Sequence, residues 1–160
     1  MIFVAVGTQK FQFNRLLNVI DELIEDNIIN ELVYAQIGFS NYIPKNYKFK
    51  KMMQKNEFDT LIKKCDLLIT HSGVGTIITG LKNTKPVIVV PRQKRFGEHI
   101  DDHQIQIADA FSEQNLVLKC EDTADLLSYI QDARGHSFDK YISSNHVVIN
   151  EIERFLNGLK

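Results

Sequence analysis

Three short stretches of the 160-residue chain concentrate the side chains able to do chemistry. The richest is PRQKRFGEHIDDHQ, residues 91–104, which packs two arginines, one lysine, three acids, two histidines and two glutamines into fourteen residues. A polar loop of this density, placed just after a buried strand, suits a functional role. A metal centre is one alternative, because His99 and His103 are four apart and could share a helical face with Glu98 or Asp102. No third histidine or cysteine stands at an obvious spacing, and the site is read as metal-free. A solvated charged loop is the other alternative.

The second stretch is HSGVGT, His71 to Thr76. Two glycines and two hydroxyls at a strand-to-helix turn offer free N–H groups, a positive helix end and side-chain donors, a combination that suits a diphosphate. No lysine follows the last glycine as a P-loop requires, and the full GxGxxG dinucleotide spacing is missing. A tight turn with an N-cap is the plain alternative. The third stretch is Gly7-Thr8-Gln9, which is either an anion-binding turn or simply a turn.

Other chemistries find little support. There is no GxSxG elbow, and neither Cys65 nor Cys120 has a histidine beside it. Two cysteines without metal-ligand spacing read as small apolar side chains in a reducing compartment. His136 and His146 read as surface residues. Lys45, Lys48, Lys50, Lys51, Lys55, Lys63 and Lys64 form a basic stretch, either a solvated face or a surface for anionic lipid head groups.

Short apolar runs alternate with helical periodicity along the chain, the pattern of a parallel sheet covered by helices on both faces. Strands are expected at 2–6, 31–37, 47–53, 66–70, 86–90 and 116–118. A helix carries Phe13, Leu16, Leu17, Ile20, Leu23 and Ile24 on one stripe. A second opens at an Asn56 N-cap and buries Phe58, Leu61, Ile62 and Cys65. Further helices are expected from the HSGVGT turn to about Lys82, over 99–111, and from an Asp122 cap to about Ala133. A last one carries Val148, Ile152, Phe155 and Leu156. In such sheets ligands bind beyond the carboxyl ends of the strands, and the three polar stretches follow strands 2–6, 66–70 and 86–90.

Composition agrees with a globular protein: 44% hydrophobic and 24% charged residues, with a net charge of −1. That charge speaks against a nucleic-acid partner, which demands a basic face. No stretch nears the roughly 20 apolar residues that span a bilayer, and the N-terminal run is too short for a signal peptide. One soluble, cytoplasmic domain over 1–160 is expected.

At its three motifs the sequence resembles the C-terminal, donor-binding domain of glycosyltransferase family 28, which has the GT-B fold. The resemblance covers roughly residues 1–120 and is most specific over PRQKRFGEHIDDHQ. It extends to the small members of two-component enzymes, the donor subunits of bacterial exopolysaccharide and dolichol-linked GlcNAc transferases. It implies a Rossmann-like half-domain that binds a UDP-sugar carrying galactose, glucuronate or GlcNAc. It also implies that Gly7, Thr8, His71, Ser72, Gly73, Gly75 and Thr76 hold the nucleotide diphosphate, and that Asp102, His103 and Gln104, with Glu98, read the sugar. Many relatives place a ribose-binding glutamate where this chain has Thr79. His99 is the one base candidate within the chain.

A GT-B enzyme works in a cleft between two domains, and this chain offers one. The resemblance therefore implies inverting transfer without metal or cofactor, completed by a membrane-associated subunit that presents a lipid-linked saccharide at the inner face of the membrane. The partner surface is expected at Arg92 to Ile100, with Arg92, Lys94 and Arg95 for steering and Phe96 as an anchor. A non-catalytic nucleotide-binding or regulatory module of the same fold is the alternative, favoured by Thr79.

Overall fold

The computed structural model describes residues 1–142. His146 and the helix expected around Val148, Ile152, Phe155 and Leu156 lie outside the described residues.

The elements in chain order are β1 (Ile2–Ala5), α1 (Asn14–Glu25), β2 (Val33–Gln36), β3 (Lys48–Lys50), α2 (Lys55–Lys64), β4 (Leu67–Thr70), α3 (Val74–Lys82), β5 (Val87–Val89), α4 (His103–Ser112), β6 (Leu118–Lys119) and α5 (Leu126–Gly135). The strands form one sheet in the order β3-β2-β1-β4-β5-β6. All neighbours pair in parallel, with β1 central between β2 and β4. Connections after β1 run one way along the sheet and those after β4 the other. The crevice at that switch point is where ligands of such sheets bind.

The sheet has a core on each face. Ile2, Val4 and Val6 pack with Leu16, Leu17 and Ile20 of α1 and with Leu126 and Ile130 of α5. Phe3 and Ala5 point the other way, toward Ile62 of α2, Ile77 and Leu81 of α3, and Ile107 and Phe111 of α4. Alternate residues of one strand thus feed opposite cores, so β1, β4 and β5 are buried without a break and, but for Thr70, apolar. Each such aliphatic or aromatic side chain contributes roughly 1.5–3 kcal/mol by leaving water.

The differences from the sequence-based expectation have local causes. The strand expected at 47–53 shrinks to Lys48–Lys50, an edge strand whose lysines are exposed. Helix α2 starts at Lys55 with Gln54 before it, and Asn56 sits inside the first turn rather than capping it. Residue Asp122 does cap, accepting from the Ala124 N–H at 3.0 Å, but of a 3-10 turn that leads into α5. Helix α4 begins at His103, not near His99. Ahead of it the two aspartates bond locally instead: Asp101 accepts from the His103 N–H at 3.2 Å, and Asp102 reaches back to the Lys94 N–H at 2.8 Å. Side chains that capture backbone donors in this way hold the chain out of a helix.

Candidate functional site

The loops after β1 and β4 meet the first turns of α4 in a cleft of about 610 Å³. Of the residues singled out in the sequence, Gly7, Thr8, His71, Ser72, Gly73, Gly75, Thr76, His103 and Gln104 line it. Gln9, Gln36, Met53, Lys55, Phe58, Val74 and Ile107 line it as well.

At the β4 end, α3 opens directly from the loop with Gly73 in the capping position. The first backbone bonds run from the Thr76 and Ile77 N–H groups to the Gly73 carbonyl, at 3.0 and 3.1 Å. Among the described residues the N–H groups of Val74 and Gly75 have no carbonyl acceptor. The Ser72 hydroxyl is buried and likewise without a partner. Free donors at a positive helix end form an anion-binding cradle.

The imidazole of His71 decides why this loop needs glycine. A Cβ added at Gly7 would lie 2.5 Å from His71 Nε2, and one added at Gly73 would lie 2.4 Å from it. The ring is clamped between two backbones. Gly7 also has φ of +83°, which disfavours any side chain there. Thr70 donates its hydroxyl proton to the Ala5 carbonyl at 2.9 Å, so at 3.2 Å it accepts from His71 Nδ1–H. That tautomer leaves Nε2 as an acceptor. Burial, aided by the Arg92 charge, pushes His71 down to about 4, and the ring is neutral at pH 7.

Gln104 ties two of the loops together. Its Oε1 accepts from the Ser72 N–H at 3.3 Å and from the Arg92 N–H at 3.1 Å. This fixes the amide, and its Nε2 protons are left for the cleft.

Four residues with expected site roles lie outside the cleft lining. Glu98 is buried and engaged at both oxygens, by Arg15 Nε at 2.8 Å on Oε1, and by Arg15 NH2 at 3.1 Å and the Gln93 N–H at 3.0 Å on Oε2. It positions the loop after β5 and has no free side for a sugar. Asp102 is turned to the Lys94 N–H. Thr79 returns its hydroxyl to the Gly75 carbonyl at 2.7 Å. His99 is buried, with Nε2 at 3.0 Å from Gln9 Oε1 and Nδ1 at 3.1 Å from Asp101 Oδ1. A ring held at both nitrogens is a poor proton acceptor for an incoming hydroxyl.

Arg92 also departs from expectation. It is fully buried, not a steering charge. Its guanidinium donates to the carbonyls of Val6, Phe11, Gln12 and Glu98 at 2.6–3.1 Å, which holds the loop after β1 against the loop after β5. Burial lowers it to about 10, opposed by Glu98, so it stays charged. Lys94 and Arg95 are exposed beyond it, as are Phe96 and Ile100. His136 is exposed, against the Asn115 side chain.

The profile of the glycosyltransferase family 28 C-terminal domain matches residues 1–154. The chain belongs to this family. It is 30% identical over 142 residues to the UDP-N-acetylglucosamine--N-acetylmuramyl-(pentapeptide) pyrophosphoryl-undecaprenol N-acetylglucosamine transferase of Prochlorococcus marinus, covering 76% of this chain and 39% of that protein. It is 28% identical over 127 residues to the human UDP-N-acetylglucosamine transferase subunit ALG13, covering 74% of this chain and 11% of that one. The chain thus spans less than two-fifths of these relatives. The solution structure of ALG13 superposes with a TM-score of 0.58 at 20% identity, over 97% of this chain and 94% of that one. The glycosyltransferase of kitacinnamycin superposes at 0.62 and 15% identity, over 99% of this chain and 38% of that one. These likenesses establish a GT-B-type, Rossmann-like half-domain.

Proposed function

We propose that the cleft binds a UDP-sugar and that the chain is the donor-binding, catalytic part of an inverting glycosyltransferase acting on a lipid-linked saccharide in polysaccharide synthesis. The observation that carries this reading is the set of unpartnered donors at Ser72, Val74 and Gly75, which opens on the same cleft as His103 and Gln104. The diphosphate takes the helix end and the Ser72 hydroxyl. An arriving anion favours a protonated His71, which turns Nε2 from acceptor into charged donor. The Nε2 protons of Gln104 and the ring of His103 face the sugar. Gln36 and Lys55 are available to the ribose, a role that Thr79 does not reach.

In the transfer an acceptor oxygen attacks the anomeric carbon as the bond to the diphosphate oxygen breaks. The electron pair leaves with UDP, whose charge the helix end stabilises. The hydroxyl proton passes to a base outside this cleft, since His99 is held at both nitrogens. A second, membrane-associated protein supplies that base together with the acceptor. It docks on the exposed rim that carries Lys94, Arg95, Phe96 and Ile100, and holds this chain at the cytoplasmic face of the membrane. No described helix is long and apolar enough to cross a membrane.

The non-catalytic reading has one observation in its favour, the commitment of Thr79 to Gly75. Radiolabelled UDP-sugar, the purified chain and membranes containing or lacking the candidate partner separate the two. Transfer to lipid that requires both proteins supports the enzyme; UDP-sugar binding without transfer to any acceptor supports the module.

A further inference from the structure

We propose that His99, Asp101 and His103 form a binding site for a divalent transition-metal ion of the zinc class. No third histidine or cysteine ligand stands at an obvious spacing from His99 and His103 in the sequence. The structure supplies a third ligand from the residue between the two histidines. One nitrogen from each ring and one Asp101 oxygen all lie within 4.8 Å of one another.

The fold places these atoms deliberately close. Gly97, at φ of +66°, ends the 3-10 turn Lys94–Phe96 and reverses the chain. His99 is thereby carried inward, its ring 5.2 Å from Phe11 and 4.6 Å from His103. Positions 99, 101 and 103 then converge, with His99 Nδ1 and His103 Nδ1 both against Asp101 Oδ1.

The surroundings of His99 fit a ligand role. Its Nε2 meets the Gln9 carbonyl oxygen at 3.0 Å, the outer contact that usually fixes the tautomer of a metal-bound imidazole. With the proton on Nε2, the Nδ1 lone pair accepts from the Asp101 N–H at 3.4 Å and faces the Asp101 carboxylate at 3.1 Å. Two acceptors then confront each other across a gap that a cation would bridge after small side-chain shifts, at the about 2.0–2.2 Å distances zinc takes to nitrogen and oxygen. Two imidazoles and one carboxylate select zinc, cobalt or nickel over magnesium or calcium. Three protein ligands leave a tetrahedral ion one open position.

His103 belongs both to this cluster and to the cleft lining. Ion and donor must therefore affect each other's affinity by the same factor. This coupling rests on the donor reading above; the metal site itself does not.

The test is titration of the EDTA-treated chain with Zn²⁺ by calorimetry, and with Co²⁺ by visible absorption. One ion per chain is expected, with cobalt bands of nitrogen and oxygen ligation. Asp101→Asn and His103→Ala should each weaken binding more than about a hundredfold and Gln9→Ala roughly 10–100-fold, the usual range for an outer partner. His136→Ala should leave it unchanged. Circular dichroism checks that each variant is folded. No binding, equal binding by His103→Ala, or an intense thiolate band showing ligation by cysteine would each overturn the site. UDP titrated separately into the metal-free chain reports on the donor reading alone.

Discussion

Replacing Gly75 by alanine separates stability from ligand binding at one atom. Gly75 is the second residue of α3, its N–H is without an acceptor, and it lines the cleft. An added Cβ would meet nothing within 4 Å, in contrast to Gly7 and Gly73, where it would strike His71. In a helix, alanine is favoured over glycine by up to about 1 kcal/mol, so the variant should be as stable as the parent or gain roughly 1–4 °C in Tm. A diphosphate lying against this helix end, however, has its approach to the Gly75 N–H obstructed by the methyl group. Losing one hydrogen bond to a charged group is worth about 1.5–3 kcal/mol, so UDP affinity should fall roughly 10- to 150-fold. Differential scanning fluorimetry and calorimetry measure the two quantities on the same sample. Unchanged UDP affinity in a folded Gly75→Ala variant would refute the placement of the diphosphate. Gly73→Val is the poorer probe, because it displaces His71 whether or not a phosphate binds there.

Further outcomes follow from the same geometry. Gln104→Glu keeps an acceptor for the Ser72 and Arg92 N–H groups but loses the amide donors, so UDP-sugar turnover should fall about 5- to 100-fold while UDP affinity changes far less; equal losses would assign Gln104 to the nucleotide. His71 has its folded value lowered to about 4 from 6.5, so the unfolded chain binds its proton more readily. Its neutral form therefore supports the fold fully above pH 6.5, and that support is lost as pH falls from 6.5 toward 4. Urea midpoints at pH 5 and 7 should differ less in His71→Gln than in the parent, and identical pH dependence would contradict the buried neutral ring. Arg95→Glu should slow association with the membrane partner and leave UDP binding intact, since Arg95 is exposed and outside the cleft lining; an unchanged association rate would remove the rim around Arg95 from the interface.

Much of this site was legible because buried parallel strands announce themselves. The apolar runs of β1, β4 and β5 marked three strand ends, and the polar residues just beyond them converge at the switch point. Side-chain direction was less accessible. Glu98, His99, Asp101 and Asp102 occupy one turn, and which of them reaches the cleft depends on Gly97 and on the capture of N–H groups by the two aspartates. Gln36, Met53, Lys55 and Phe58 belong to no motif. They reach the cleft because β2 and then β3 follow β1 on one side of the sheet, an order that local spacing does not encode. The true role of Gly73 was hidden for a similar reason, since its neighbour in space is the His71 ring. Arg92 reads as a surface charge in sequence because three of its four carbonyl partners, on Val6, Phe11 and Gln12, lie at the distant end of β1 and the loop after it.

The most direct test of the central claim is a comparison of UDP with uridine by calorimetry, using the isolated chain. A cradle of free N–H groups, a buried serine hydroxyl and a convertible histidine should bind UDP one to one and at least about a hundredfold more tightly than uridine. NMR shifts on UDP addition should concentrate at residues 7–9, 71–76 and 103–104. Equal affinity for the two ligands, or shifts confined to another face of the sheet, would contradict the account.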